Sequence, residues 1–204
     1  MQSRLQICVC GWYFYPSLYQ TLRKLPEDYA PMVIAHRPGD TYGIPSIVRE
    51  NVGLEFGAYD YFLQQYWDQS SNVLFLHDDI EVPIQFFQAA QTIPFDQAYI
   101  FRNPQAYQHN LGHGRAMYAA AAFLVQVQLR GGIWYDAGNT GFVAQGPSWS
   151  EQSPAGCQDH NAGIRAFMTL SRSIGEETNL TVNQPFYFPS ASFGHRGQLE
   201  HQGI

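Results

Sequence analysis

The sequence predicts a single α/β domain built on a mostly parallel central sheet with helices on both faces. Three observations lead there. Short runs of β-forming residues alternate with segments of helical spacing along the first hundred positions. One run, Val73-Leu74-Phe75-Leu76, is apolar without a break, as a strand covered on both faces must be. Each run stops at glycine, proline or charged residues, so polar groups collect at strand ends, where open α/β sheets bind ligands.

Leu5 to Cys10 is the first expected strand, closed by Gly11 and followed by the aromatic loop Trp12 to Tyr15. Pro16 opens a helix over Ser17 to Lys24, and Pro26 marks its end. Met32 to Ala35 forms the second strand, stopped by the turn residues His36-Arg37-Pro38-Gly39-Asp40. A third short apolar stretch covers Ile44 to Val48. Beyond Asn51-Val52-Gly53, Phe56, Tyr59, Phe62, Leu63 and Tyr66 recur at helical spacing. The Val73 strand ends in His77-Asp78-Asp79. A helix from Ile84 to Gln91 and a strand from Ala98 to Phe101 come next. In the less regular second half, a helix is expected over Arg115 to Leu129, a glycine-rich loop over Gly131 to Gly146, a helix over Gln158 to Ser173 and a last strand at Phe186 to Phe188.

At 204 residues the chain suits one domain, divided into a half of about residues 1–100 and a half of about residues 101–204. Eleven Lys and Arg against seventeen Asp and Glu give a net charge of −6, too little positive charge to track nucleic-acid phosphates, so no nucleic-acid partner is expected. One diphosphate, by contrast, needs only a metal ion, a helix N-terminus or one or two Arg. Cys8, Cys10 and Cys157 are too few for a disulfide scaffold and too sparse for zinc, and read as buried thiols in a reducing compartment. No run reaches the ~20 apolar residues of a membrane span, and a cytoplasmic protein is expected. The segment from Gln198 resembles a linker, so further domains C-terminal to it are also expected.

Two adjacent carboxylates after a buried strand repel each other unless a cation or hydrogen-bond donors compensate. Mn²⁺ or Mg²⁺ held by Asp79 and Asp78 against a diphosphate is one solution. A solvated turn or a helix cap before Pro83 is the other.

The order of these segments, with Arg49-Glu50-Asn51-Val52-Gly53-Leu54-Glu55-Phe56-Gly57-Ala58-Tyr59-Asp60 leading into a helix and Val73 to Asp79 following, resembles the nucleotide-binding half of a GT-A-type glycosyltransferase. The resemblance covers about residues 5–100. It implies a metal-dependent transfer of a sugar from a UDP-sugar donor to a glycan or glycoprotein acceptor. His77 stands where the family's Asp-x-Asp motif has its first acid, and Asp79 becomes the favoured metal ligand with Asp78 in support or nearer the ribose. Gly11, Trp12 and Tyr13 would face the base, His36 and Arg37 the base or ribose, and Asn51, Glu55, Asp60, His77 and Asp78 the rest of the donor. The chain is also similar to N-terminal glycosyltransferase domains of multidomain proteins of large algal (chlorella) viruses, which decorate the capsid protein. That likeness implies a rhamnose- or glucose-type sugar, a capsid glycan as acceptor and the host cytoplasm as location.

In the acceptor half, Gly138 to Phe142 followed by Gln158-Asp159-His160-Asn161 resembles the region where inverting members keep their base, and Asp159 is the candidate, with Asp136 and Glu151 in reserve. An N-cap is the competing role for Asp159. His195, Arg102 and Arg115 are further phosphate or metal candidates. Two other functions remain open on the sequence: a metal-dependent hydrolase of nucleotide sugars or phosphoesters, and a non-catalytic carbohydrate-binding module using the aromatic side chains.

Overall fold

A computed structural model describes residues 5–51, 54–92, 97–101, 116–132, 170 and 173–186. The elements run β1 (Leu5–Gly11), α1 (Pro16–Leu22), β2 (Tyr29–Ala35), β3 (Ser46–Val48), α2 (Leu54–Gln65), β4 (Asn72–His77), α3 (Ile84–Gln91), β5 (Gln97–Phe101), β6 (Ala116–Ala119), α4 (Ala121–Leu129) and β7 (Thr181–Phe186). Residues 173–178 are also helical. The seven strands form one sheet in the order β3-β2-β1-β4-β6-β5-β7. β1 lies parallel to both β2 and β4, β2 to β3, and β5 to β7. β6 alone runs antiparallel to its two neighbours, β4 and β5.

The pleat sorts the core into two layers. Cys8 and Cys10 of β1, Ile34 of β2, Val73 and Phe75 of β4, and Met117 and Ala119 of β6 face one side, against Phe56, Tyr59, Phe62 and Leu63 of α2 and Phe123, Leu124 and Val127 of α4. Leu5, Ile7 and Val9, Val33 and Ala35, Leu74 and Leu76, and Tyr118 face the other, against Leu18, Tyr19 and Leu22 of α1 and Phe86, Phe87 and Ala90 of α3. Both faces are thus covered, as the unbroken apolar run of β4 requires. Cys8 and Cys10 are buried free thiols.

Two expectations are corrected. The helix expected from Arg115 begins only at Ala121, because Ala116 to Ala119 form β6. The segment Ala116-Met117-Tyr118-Ala119-Ala120-Ala121-Ala122 has strong intrinsic helix propensity, but a slot between β4 and β5 offers backbone partners on both sides, and tertiary pairing outweighs a few tenths of a kcal/mol per residue. The last strand is Thr181–Phe186 and so starts five residues before the expected Phe186. Among the described residues no helix is long and apolar enough to cross a membrane.

Candidate functional site

The carboxyl ends of β1, β2 and β4 come together because these strands are in parallel register, with Cys10 opposite both Ile34 and His77 and Gly11 opposite Ala35. The ladder carries on past the strands: the His36 amide donates to the Gly11 carbonyl and the Asp78 amide to that of Cys10. Three loops therefore share one rim. They carry Trp12 to Tyr15, His36 and Arg37, and His77 to Asp79.

Alternation along β4 continues through this rim and separates the two aspartates. Asp78 turns toward the α1 layer and is fully buried. Its Oδ2 accepts the backbone N–H of Trp12 at 2.9 Å, of Tyr13 at 2.9 Å and of Phe14 at 2.7 Å, together with the Tyr19 hydroxyl at 3.1 Å. Its Oδ1 takes a second bond from the Tyr13 amide at 3.1 Å. Burial pushes the Asp78 carboxyl above the usual carboxylate range, while His77 and the three amides pull it down. The Tyr19 phenol is pushed up, first by burial and then by the Asp78 carboxylate.

Asp79 and His77 turn to the α2 layer. Asp79 is buried, and its Oδ1 lies 2.8 Å from Nδ1 of His77, whose side chain keeps 16% of its surface exposed. The ring of Tyr13 stands 6.0 Å from the His77 ring and stacks on Tyr15 at 5.6 Å. Burial pushes the Cys10 thiol up, and the nearby Glu55, Asp78 and Asp79 carboxylates add to it. Glu55, in the first turn of α2, is buried.

Across the rim, exposed Arg37 donates from Nε to the Trp12 carbonyl at 2.6 Å. Its guanidinium carbon lies 5.2 Å from the Trp12 ring centre and 5.9 Å from that of Phe14. Phe14 has φ +58°, an unusual conformation for a bulky residue, and its ring fills the space over Gly39, where a Cβ would meet ring atoms at 2.2–2.4 Å. Gly11 is required for packing within the fold: a Cβ there would lie 2.8 Å from Val33.

Gly11, Trp12, His36, Arg37, His77, Asp78 and Asp79 are brought together on the rim, and Glu55 joins them below through Cys10. Asn51 is half-buried after β3, with a buried Oδ1 that has no hydrogen-bond partner among the described residues. Asp60 sits deeper along α2, where it accepts a 2.6 Å bond from Gln64 and presses on Gly132 beyond α4. Asp159, Asp136, Glu151, His195, Arg102 and Arg115 lie outside the described residues. Two rim residues carried no role in the sequence reading: Tyr19, which closes the Asp78 cradle, and Arg49. The Arg49 guanidinium lies 5.4 Å from the Tyr61 ring centre, and burial lowers its pKa from the usual arginine value. Its place just before Asn51 was the signal available.

The expected metal site was two aspartates on one ion. Asp78 does not fit that arrangement, whereas Asp79, the favoured ligand, is bonded through Oδ1 to His77. The Asp78 oxygens already accept five hydrogen bonds, and Asp78 and Asp79 point to opposite layers. Among the described residues no group of three or more His, Cys, Asp or Glu side chains is placed to hold a metal ion.

Comparison with solved structures finds a likeness to the apo-form glycosyltransferase GlyE of Streptococcus pneumoniae TIGR4. The TM-score is 0.50 at 10% identity, over 89% of this chain and 45% of that one. The chain has a GT-A-like fold. It spans less than half the length of GlyE, and the likeness is one of architecture. No family model matches the chain, and no curated protein matches it.

Proposed function

We propose that this GT-A-like domain transfers a hexose or deoxyhexose from a UDP-sugar to a glycan acceptor. The observation that carries the reading is the meeting of an aromatic loop, an arginine and a histidine–aspartate pair at the carboxyl ends of adjacent parallel strands. Trp12 and Tyr13, with Arg37 fixed over Trp12, offer flat surfaces for a nucleobase. His77, held through Nδ1 and partly exposed at the rim, would lie near the diphosphate. As the acceptor oxygen bonds to the anomeric carbon, the bond from that carbon to the diphosphate breaks and its electron pair leaves with the phosphate. The hydroxyl proton passes to a base, for which Asp159 remains our candidate. A rhamnose- or glucose-type sugar and a viral capsid glycan as acceptor rest on the sequence resemblance alone.

The experiment is thermal unfolding with UDP, GDP and CMP, each with Mn²⁺, Mg²⁺ or EDTA, followed by incubation of the UDP-sugar with and without glycan acceptors. UDP is expected to raise Tm above the other nucleotides, by mass action on the folded state. Acceptor-dependent release of UDP is the expected reaction. Equal release without acceptor would make the protein a hydrolase, and binding of glycans without any nucleotide effect would make it a carbohydrate-binding module.

A further inference from the structure

Buried carboxylates are costly unless their lone pairs are filled, and Asp78 fills them almost wholly from one short stretch of backbone. Three consecutive amides, of Trp12, Tyr13 and Phe14, converge on Oδ2, and the Tyr19 hydroxyl locks the same oxygen from α1. Three successive N–H groups aimed at one anion form a nest, usually found around a bound phosphate. Here the protein's own carboxylate occupies it. The loop so held is also strained, since Phe14 is kept at φ +58° with its ring against Gly39. The same loop carries the Trp12 carbonyl and ring that fix Arg37.

We propose that Asp78 is a positioning residue that casts the Trp12–Phe14 loop into its nucleobase-receiving shape, and is not a ligand of a metal ion. This rests on the UDP-sugar reading above. Asp78 touches no substrate in this assignment; it acts through Trp12, Tyr13 and Arg37. Its conformation-setting role follows from geometry alone: it reaches the loop with both oxygens and faces away from Asp79.

The test compares two probes that share a diphosphate and differ by the nucleoside: UDP and inorganic pyrophosphate, each titrated by calorimetry with Mn²⁺ and with EDTA. In D78N, UDP affinity is expected to fall about tenfold or more, by the same factor in both conditions, with pyrophosphate affinity unchanged. A general loss of structure would weaken both probes, and a lost metal ligand would weaken only the Mn²⁺-dependent part; either result overturns the proposal, as does unchanged UDP binding. Should D78N not fold, G39A perturbs the loop from the opposite side through the Phe14 ring and is expected to give the same UDP-selective loss. If G39A binds UDP as wild type does, the proposal also falls. Wild-type protein that binds neither probe would instead remove the functional reading on which the proposal stands.

Discussion

Gly132 gives a sharp test of how the segment after α4 is joined to α2. Its φ is +108°, and a Cβ placed there would lie 2.2 Å from Oδ1 and 3.1 Å from Cγ of Asp60. Gly132→Ala therefore carries two costs: a side chain in a backbone region suited to glycine, about 1–2 kcal/mol, and a collision with a buried carboxylate, about 1–3 kcal/mol. Asp60 cannot swing away freely, being buried and bonded to Gln64 at 2.6 Å. The expected loss is about 2–5 kcal/mol, or roughly 4–20 °C in Tm for a chain of this length. Urea unfolding followed by circular dichroism measures it. Asp60→Ala removes the collision partner, so the double variant should be about 1–3 kcal/mol more stable than the two single effects added together. Additivity within about 0.5 kcal/mol, or a neutral Gly132→Ala, would refute the contact between Asp60 and Gly132.

Two further outcomes are expected. The Asp68 carboxyl, though burial raises it, is held below its usual range by hydrogen bonds from Ser71 and Ser70. Its contribution to stability is present above the unfolded carboxylate value and lost as pH falls through the folded one, so the stability gap between wild type and Asp68→Asn should narrow below about pH 4; a gap independent of pH would contradict this. Cys8 and Cys10 are buried with thiols pushed up by desolvation, so in a Cys157→Ser background a thiol reagent should label neither until urea unfolds the chain, and rapid labelling of the native protein would exclude the β1 assignment.

The first hundred residues were legible because their signals are local and agree with one another. Val73 to Leu76 could only be a central strand, and the Gly, Pro and charge stops placed the rim correctly. The roles at the rim were harder to read. Asp78 and Asp79 look like a pair in sequence, and only alternation carried beyond the end of β4 reveals that they part company. That rule was available, but its result depended on what lay on each face: Tyr19 from α1 and three amides from the β1 loop are brought there by packing across 59 to 66 residues of chain. Ala116 to Ala119 failed for a related reason. Their local preference is helical, and the partners that make them a strand come from β4 and β5. Asp60 was a donor candidate only through the family resemblance; it lies about one and two-fifths turns beyond Glu55 along α2, beside Gly132, and that neighbour has no signal in the local sequence.

The divergence of the two aspartates has a consequence for how such a corner can change. Because Asp78 serves the backbone on one side of the sheet while His77 and Asp79 face the other, the loop's anchor and the histidine–aspartate pair are encoded at neighbouring positions and touch again where the His77 ring stands 6.0 Å from that of Tyr13. A library that varies position 79 with His77 and Asp78 fixed keeps the five hydrogen bonds onto Asp78 and the ring contact between His77 and Tyr13. One residue inserted into β4 would exchange the two faces and disable both at once.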